Sequence, residues 1–294
     1  MEDIYEEIYS LVRQIPEGMI STYKQVAEAL SDPIAARGVA EALSLNPCPI
    51  EVPCHRVVHE NLELGGFRFG VKEKKAMLMK EGICIDGEKV RGKVFADFRS
   101  TKSLVGMRKL QEEMAKKVDL CDSDFELVAG FDVSYKERLA KGALCVMNRD
   151  MEVIEVRTGY ALSRMPYIPT YLGFREMPLF EELSKGLKDI LYFIDGNGVM
   201  HPRFCGSACM MGVKTGAATI GVAKSRLFGR IEGEKVFYGE KQIGWKSGNR
   251  FLSPGHRVSM DSARAISAGF SLYSTPEPLR LAHFASRINL NKRP

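Results

Sequence analysis

The distribution of apolar residues changes at about residues 87–99, and this change constrains the fold more than any other feature of the chain. Before it, short amphipathic segments alternate with loops rich in proline and glycine. After it, apolar segments with the period of strands alternate with helical ones. At 294 residues the chain is also longer than a single core usually fills. We therefore predict two domains, residues 1–86 and 100–294, joined by a linker at 87–99.

The first domain is predicted to be mainly α-helical. Amphipathic periodicity indicates a helix at residues 3–14, a second at 22–30 capped by Ser21, and a third at 34–45. The last two are short and joined by a tight turn. This suggests a helix-turn-helix of the winged-helix-like type, although an ordinary helical hairpin is more common when spacing is the only evidence.

The second domain is predicted to contain a mixed β-sheet. Three strand candidates follow one another, and helices then alternate with further strands. The strand candidates are "FELVAGFDVSYK", "ALCVMN", "EVIEVRTGYAL", "ILYFIDGNG" and "ATIGVAKS". This order predicts an α/β domain in which helices pack on the sheet.

The composition argues against a membrane protein. No run of about 18 apolar residues is present, and the acidic start "MEDIYEEIYS" is unlike a signal peptide. The seven cysteines are scattered without a C-x-x-C pair, which is typical of reduced thiols. We therefore expect a cytoplasmic protein.

The charge is unevenly distributed along the chain. Residues 1–100 carry 13 Lys and Arg against 16 Asp and Glu, whereas the remainder carries 29 against 21. A basic second part is compatible with a polyanionic partner such as nucleic acid, but charge alone favours a solvated surface.

The stretch "IEVPCHRVVHE" at residues 50–60 contains a candidate nucleophile. Cys54 precedes His55 directly, and a histidine can take the proton of a thiol. A lone cysteine is more often a small buried apolar residue, and it can also be a metal ligand. The neighbouring sequence decides between these alternatives.

Residues 3–86 resemble the O6-alkylguanine-DNA alkyltransferases in several motifs that occur in register. The motifs are "STYKQVA", "AARGVAEAL", "NPCPIEVPCHRVV", "LGGFRFG" and "KEKKAMLMKEG". The resemblance implies that Cys54 accepts the alkyl group in a single turnover, without a metal or cofactor. It also implies that His55 deprotonates Cys54 through a water, that Glu81 orients His55 and that Asn46 braces the loop.

The same resemblance implies a DNA-binding surface. Tyr23 would rotate the 3′ phosphate, and Arg37 would enter the base stack where the damaged guanine leaves. Guanine O6 lies inside the duplex, so the base must be flipped out before a thiol can reach it. An alternative is a binding module that only flags lesions, as relatives without the cysteine do.

Three carboxylates characterise the second domain. Asp132 lies inside an apolar strand and Asp195 ends another, where an unpaired charge costs several kcal/mol. Glu176 lies at a predicted helix start, where capping is the ordinary role. Together the three indicate a site for a hard divalent cation, Mg2+ or Mn2+.

Residues 100–285 resemble endonuclease V. The matching stretches are "AGFDVSY", "PYIPTYLGFRE", "DGNGVMHPR", "TIGVAKSRLFG", "SPGHRVS" and "PEPLRLAH". The resemblance implies a ribonuclease-H-like fold and a metal-dependent nuclease in which Asp132, Glu176 and Asp195 bind the metal and activate water. Lys224 would stabilise the phosphate, and His256 would assist near the metal.

The endonuclease V resemblance also implies how a lesion is recognised. A wedge would insert into the DNA, with Tyr167 stacking there, and three glycines would line a pocket for the flipped hypoxanthine. The wedge residues are Pro166, Tyr167, Ile168 and Pro169, and the glycines are Gly196, Gly198 and Gly212. Thr170 replaces the glycine that usually follows the wedge.

The two resemblances predict a fused DNA-repair enzyme with two substrates. One half would act on O6-alkylguanine, and the other would nick double- or single-stranded DNA on the 3′ side of deoxyinosine. A preference of the second half for inosine in RNA is an alternative that the sequence leaves open.

Overall fold

The computed structural model describes residues 3–287. The chain forms two compact units: unit 1 contains residues Met1–Arg108 and Arg164–Pro169, and unit 2 contains Lys109–Ser163 and Thr170–Pro294. No helix in the described part of the chain is long and apolar enough to cross a membrane.

Unit 1 is built from short helices and strands. Its helices are α1 (Ile4–Arg13), α2 (Tyr23–Ala29), α3 (Ala36–Ser44) and α4 (Val71–Lys80), and α5 (Ser103–Ala115) contains the boundary to unit 2. Its strands are β1 (Met19–Thr22), β2 (Val57–Val58), β3 (Cys84–Asp86), β4 (Lys89–Arg91) and β5 (Lys93–Val94). The helical character predicted from the sequence is therefore confirmed.

A capping box starts α2, one residue later than predicted. The side chain of Thr22 accepts a hydrogen bond from the Gln25 backbone N–H at 3.1 Å, and Gln25 Oε1 accepts from the Thr22 N–H at 3.1 Å. The assignment of Ser21 as the cap was therefore wrong: Thr22 satisfies the free N–H groups of the first turn. A 3-10 turn at Pro33–Ala35 then leads into α3.

Strands occupy the segment that the sequence predicts as a linker. β4 pairs with β3 in a hairpin, and β5 pairs in parallel with β1. Val90 of β4 is buried in a core cluster with Ile20 and Leu78. Residues 87–99 therefore fold as part of unit 1, which extends to Arg108.

Residues Arg164–Pro169, which contain the predicted wedge, fold within unit 1. Ile168 is 1% exposed, and an added Cβ at Gly38 in α3 would lie 2.7 Å from its Cγ1. The Tyr167 N–H donates to Glu41 Oε2 at 3.1 Å. The segment is therefore held against α3 by close packing and a charged hydrogen bond.

We expect Gly38→Val to destabilise unit 1 by about 1–3 kcal/mol, because the new methyl groups would overlap Ile168. Gly106→Ala is the matched control: Gly106 lies in α5 with nothing within 4 Å of an added Cβ, and alanine favours a helix. Thermal unfolding followed by circular dichroism measures both. Equal melting temperatures for Gly38→Val and the wild type would contradict the close approach.

Unit 2 is an α/β domain. Its strands are β6 (Leu127–Lys136), β7 (Leu139–Met147), β8 (Val153–Leu162), β9 (Ile190–Asp195), β10 (Ala218–Ala223), β11 (Arg230–Glu232), β12 (Lys235–Tyr238), β13 (Lys241–Ser247) and β14 (Arg250–His256). Its helices are α6 (Leu172–Leu183), α7 (Ser207–Thr215), α8 (Met260–Gly269) and α9 (Glu277–Arg287). The helix predicted around Glu176 begins earlier than expected, so this residue lies inside α6.

The strands of unit 2 form one mixed sheet in the order β11-β12-β13-β14-β10-β9-β6-β7-β8. β6, β9 and β10 are parallel neighbours, and antiparallel strands flank them on both sides. Apolar residues from α6 and α7 cover one face, and residues from α8 and α9 cover the other. The predicted mixed sheet with packed helices is confirmed.

Candidate active sites

Cys54 begins a 3-10 turn, Cys54–Arg56, at the end of the proline-rich loop of unit 1. Its side chain is buried, and Asn46 Nδ2 lies 3.1 Å from the Val52 carbonyl oxygen and 3.4 Å from Cys54 Sγ. Asn46 is itself fully buried. The amide therefore ties the loop together directly beside the thiol.

Glu81 connects His55 to Arg56. His55 Nε2 lies 2.7 Å from Glu81 Oε1, and Arg56 Nε donates to both carboxylate oxygens at 3.0 and 2.9 Å. Burial raises the pKa of Glu81, but the hydrogen bonds from Arg56 and His55 outweigh it and lower the pKa overall. A charged Glu81 accepts a hydrogen bond from the His55 Nε2–H, which leaves Nδ1 as the basic nitrogen. Nδ1 is buried and has no hydrogen-bond partner within residues 3–287.

Lys74 in α4 is a charged residue of this site that the sequence reasoning missed. It is fully buried, and its Nζ donates to the Val57 carbonyl oxygen at 2.6 Å and to that of Gly66 at 3.2 Å. Burial lowers the pKa of Lys74 to about 8, although the nearby Cys54 opposes this shift. A lysine in an amphipathic helix is normally exposed, so the sequence carries no signal for its position.

Burial and the neighbouring groups set the ionisation of the thiol and the imidazole. Burial raises the pKa of Cys54, while the Asn46 hydrogen bond and the charge of Lys74 lower it. Burial lowers the pKa of His55, with Glu81 opposing the shift. At neutral pH, His55 is therefore a neutral imidazole that can accept a proton.

A cavity of about 380 Å³ opens beside Cys54. Tyr23, Leu43, His59 and Phe67 contribute to its lining. Burial raises the pKa of Tyr23 to about 12, so its hydroxyl remains protonated. Arg37 is exposed on α3 and does not line this cavity. A ligand that enters this cavity would therefore reach the thiol between apolar and aromatic side chains.

The three predicted carboxylates of unit 2 line one cavity of about 600 Å³. Asp132 lies in β6 and Asp195 ends the parallel neighbour β9, so the sheet brings the two side chains together. Glu176 reaches the same cavity from α6, and Lys224 Nζ lies 2.6 Å from Asp195 Oδ2. The prediction that these four residues share a site is consistent with this geometry.

His283 of α9 completes the group. Its Nδ1 lies 2.8 Å from Asp132 Oδ2, and one ligand atom each of Asp132, Asp195 and His283 lies within 4.8 Å of the others. Carboxylate oxygens with one imidazole nitrogen are suitable donors for Mg2+ or Mn2+. His283 is the last residue of the matching stretch "PEPLRLAH", and nothing in that stretch distinguishes it as a site residue.

Two serines support the carboxylate of Asp132. Ser286 Oγ lies 3.2 Å from Asp132 Oδ2 and 2.8 Å from Ser134 Oγ. Ser286 is fully buried and lies one turn after His283 on α9. A Ser134-to-Ser286-to-Asp132 chain of hydrogen bonds therefore links α9 to β6 beneath the cavity.

The carboxylates repel one another electrostatically. Burial and the neighbouring Asp195 raise the pKa of Asp132 to about 6. Burial, followed by the charges of Asp132 and Asp195, raises the pKa of Glu176 well above its usual value. A divalent cation would offset this repulsion, so the residues present fit such a group.

His256 lies away from the carboxylates, so the role predicted for it is corrected. It pairs with Thr219 on β10, whereas Asp195 pairs with Val222 on the same strand. Three residues along a strand separate the two positions by about 10 Å. His256 Nδ1 instead accepts a hydrogen bond from the Asp119 backbone N–H at 3.1 Å. The imidazole beside the carboxylates belongs to His283.

The three glycines predicted to line a base pocket are buried at close approaches of the backbone. An added Cβ at Gly198 would lie 2.0 Å from the Pro254 carbonyl oxygen, and one at Gly212 would lie 2.5 Å from His256 Cβ. The Gly198 N–H donates to Ser253 Oγ at 2.8 Å, and the Gly196 N–H donates to the Val222 carbonyl at 3.3 Å. The Gly196 and Gly198 N–H groups are thus paired within unit 2, and the glycines permit tight packing.

Thr170, the substitution noted after the predicted wedge, adopts a backbone conformation that favours glycine. Its φ is +70°, and its carbonyl oxygen lies 3.0 Å from His201 Nε2 and 2.9 Å from Arg203 Nη2, which donates to it. Gln111 Nε2 donates to the same oxygen at 3.2 Å. These hydrogen bonds offset the strain of a non-glycine residue at a positive φ.

Known proteins match both parts of the chain. The family model for the 6-O-methylguanine DNA methyltransferase DNA binding domain matches residues 3–83, and that for endonuclease V matches residues 108–284. A bifunctional methyltransferase/endonuclease of Picrophilus torridus is 36% identical over 286 residues, which cover 96% of this chain and 95% of the relative. The corresponding protein of Thermoplasma volcanium is 35% identical and is covered to 91%, with 98% of this chain matched.

A solved structure resembles unit 2. Ciona intestinalis endonuclease V, in complex with DNA containing an inosine followed by a ribo-adenosine, superimposes with a TM-score of 0.59 at 26% identity. The match covers 66% of this chain and 99% of that one.

The fold and the two sites define a fusion of a methyltransferase DNA-binding domain with an endonuclease V. The similarity to relatives extends over nearly the whole chain and includes both parts. The chain belongs to the bifunctional methyltransferase/endonuclease family.

Proposed function

We propose that unit 1 transfers alkyl groups from O6-alkylguanine in DNA to Cys54. The observation that carries the proposal is the position of Cys54 on the wall of a cavity, beside a neutral His55 that is held by Glu81. A flipped alkylguanine would enter the cavity between Tyr23 and Phe67. The proposed winged-helix-like fold would place α3 in the DNA groove, with exposed Arg37 filling the gap in the stack and Tyr23 turning the phosphate.

The transfer follows from the hydrogen bonds of the site. His55 Nδ1 accepts the thiol proton through a water, because Nε2 is already engaged by Glu81. Lys74 and Asn46 stabilise the thiolate. The sulfur attacks the alkyl carbon, and the bond from that carbon to O6 breaks. The leaving guanine takes up the proton that passed from the thiol to His55. The thioether is stable, so each molecule acts once. A reducing, cytoplasmic setting is part of the proposal, because Cys54 must remain a free thiol.

We propose that unit 2, with a ribonuclease-H-like fold, nicks DNA on the 3′ side of deoxyinosine. The observation that carries the proposal is the convergence of Asp132, Asp195, Glu176 and His283 on one cavity. Asp132, Asp195 and His283 would hold Mg2+ or Mn2+, which lowers the pKa of the attacking water and offsets phosphate charge. Glu176 orients the water and takes its proton, consistent with its raised pKa. Lys224 stabilises charge that develops on the phosphate.

The DNA substrate is favoured by the Ciona intestinalis relative, which was solved with inosine-containing DNA. RNA with inosine is the second candidate for this half, because the proposed reaction takes place at a backbone phosphate, which both polymers contain. One experiment tests the whole proposal: incubation with O6-methylguanine DNA, inosine DNA and inosine RNA of one sequence, with and without Mg2+. We expect methyl transfer in both conditions and nicking of inosine DNA only with Mg2+. Preferential nicking of the RNA would reassign the substrate of unit 2.

We expect Ser286→Ala to lower the affinity for Mn2+ by about 10- to 100-fold, because Ser286 fixes the Asp132 carboxylate. Ser286→Thr retains the hydroxyl and should restore part of the affinity. Ser267→Ala is the control, since Ser267 is also buried but lies on α8. Titration calorimetry measures the affinity without catalysis. Unchanged Mn2+ binding by Ser286→Ala would show that the serine only packs.

A further inference from the structure

The strand β8 presents an exposed apolar row at the edge of the unit 2 sheet. β7 pairs with one side of β8, and no strand among residues 3–287 pairs with its outer side. Five of the sixteen large apolar side chains that are exposed in the described part of the chain lie in these ten residues. A long, apolar edge strand is usually covered in a native protein, because its free N–H and C=O groups recruit another strand.

Four of these side chains share one face of β8. They occupy every second position except one and are about half to three-quarters exposed: Ile154 57%, Val156 49%, Tyr160 51% and Leu162 71%. Side chains at alternate positions of a strand point to the same face, and Thr158 occupies the middle of the row. A bulge lies at Ile154, where Glu155 pairs with Val146 and Val153 with Met147, so the strict alternation runs from Val156 to Leu162. The row is therefore symmetric about Thr158, with two apolar residues on each side.

This symmetry indicates that the partner of β8 is the same strand in a second copy of the chain. A two-fold axis perpendicular to the sheet pairs β8 with the β8 of a second copy, antiparallel and with each face continued across the junction. With the axis at Thr158, the facing pairs are Ile154 with the partner's Leu162, Val156 with the partner's Tyr160, and Thr158 with the partner's Thr158. A shift of the axis by one residue toward the N-terminus places Leu162 opposite the partner's Glu152. A shift by one residue toward the C-terminus places Ile154 opposite the partner's Arg164.

The opposite face of β8 accommodates the same register. Arg157 would face the partner's Gly159, which has no side chain to obstruct it. The Arg157 guanidinium is also neutralised within its own chain: Nε lies 2.9 Å from Glu155 Oε1, and Nη1 donates to the Lys185 carbonyl at 2.8 Å. The two copies therefore bring no uncompensated like charges together at this junction.

We propose that the protein forms a two-fold dimer through antiparallel pairing of β8 with the β8 of a second copy, in the register centred on Thr158. The pairing satisfies the free backbone groups of the edge and brings the apolar row of each copy into cross-strand contact with that of the other. The two sheets continue into one across the junction. This inference is independent of the two proposed activities, because it uses none of their residues.

A disulfide tests the register. In the proposed dimer the two Thr158 residues face each other with Cβ atoms about 4.5–5.5 Å apart, close to disulfide geometry. Thr158→Cys should therefore give a cross-linked dimer on mild oxidation. Glu155→Cys is the control on the same strand, because its two copies would be six residues out of register. The wild type controls for the exposed Cys48, Cys84 and Cys121.

Sedimentation equilibrium tests the dimer itself. The wild type should show twice the mass of one chain, and the double variant Tyr160→Ser/Leu162→Ser should show the mass of one. The matched control is Leu272→Ser/Tyr273→Ser, which removes an equally exposed leucine and tyrosine elsewhere and should remain dimeric. Circular dichroism verifies that each variant is folded.

Three results would overturn the inference. One is a wild type that is monomeric at every concentration, without cross-linking of Thr158→Cys. Another is equal cross-linking of Thr158→Cys and Glu155→Cys, which would reject the register. The third is a monomeric wild type whose affinity for DNA falls in Tyr160→Ser/Leu162→Ser and not in the control, which would make the row a nucleic-acid contact.

Discussion

Cys54→Ser is expected to accept no labelled methyl group from O6-methylguanine DNA, at any protein concentration or time. Because Cys54 is the proposed acceptor, we expect a complete loss of transfer and not a reduced rate. Serine preserves the volume of the side chain, and its hydroxyl is a far weaker nucleophile at neutral pH than a thiol. Inosine-directed nicking should remain at the wild-type rate, because its residues lie in unit 2.

The matched control is Cys48→Ser. Cys48 lies in the same proline-rich loop but is exposed and does not line the cavity. Label should still be transferred to this variant, and peptide mapping of the wild type should find it on Cys54 alone. Methyl transfer to Cys54→Ser would refute the acceptor assignment. If Cys54→Ser still binds methylated duplex DNA, lesion recognition does not require the thiol that the transfer requires.

Asp132→Asn and Asp195→Asn should each reduce inosine-directed nicking at saturating Mg2+ by at least about 100-fold. Removal of an indirect support for a metal ligand already costs about 10- to 100-fold, and these changes remove a ligand. Asp132, Asp195 and Glu176 repel one another, and a bound cation would offset this repulsion. Each substitution also removes one of the negative charges that would attract the cation. Methyl transfer should be unaffected, because it needs no metal.

Glu181→Gln provides the control for lost acidity. Glu181 lies on α6 with Glu176 but outside the cavity, where it pairs with Lys214. The Glu181→Gln variant should nick normally.

Ca2+ should support DNA binding by the wild type without cleavage, because it is larger and more loosely coordinated than Mg2+. Wild-type nicking by either aspartate variant, or in the presence of a chelator, would refute the metal mechanism.

The sequence by itself singled out Cys54, His55, Asp132 and Asp195 as candidate site residues. Cys54 and His55 are adjacent in the chain, and Asp132 and Asp195 interrupt apolar strands where an unpaired charge is costly. Such anomalies are local, so they are visible without coordinates. The mixed sheet was predictable for the same reason, because strand and helix periodicity are properties of short segments.

Only the tertiary structure decided which distant residues join these groups. His256 and His283 are both histidines near the end of the chain, and their motifs do not distinguish them. The sheet register places His256 about 10 Å along β10 from the level of Asp195, while the packing of α9 on β6 brings His283 to Asp132. Lys74 is likewise an ordinary helix residue until α4 buries it beside the thiol.

Packing also decided the roles of two glycines and of the segment at residues 164–169. Gly198 and Gly212 belong to motifs that suggest recognition of a base. Neighbouring segments pack so closely against them that a side chain at either position would collide with its surroundings. Residues 164–169 follow a strand of unit 2 in sequence, yet Ile168 is buried against Gly38 of unit 1. A sequence records chemical type and local period, whereas close approach between segments far apart in the chain depends on how all the elements pack together.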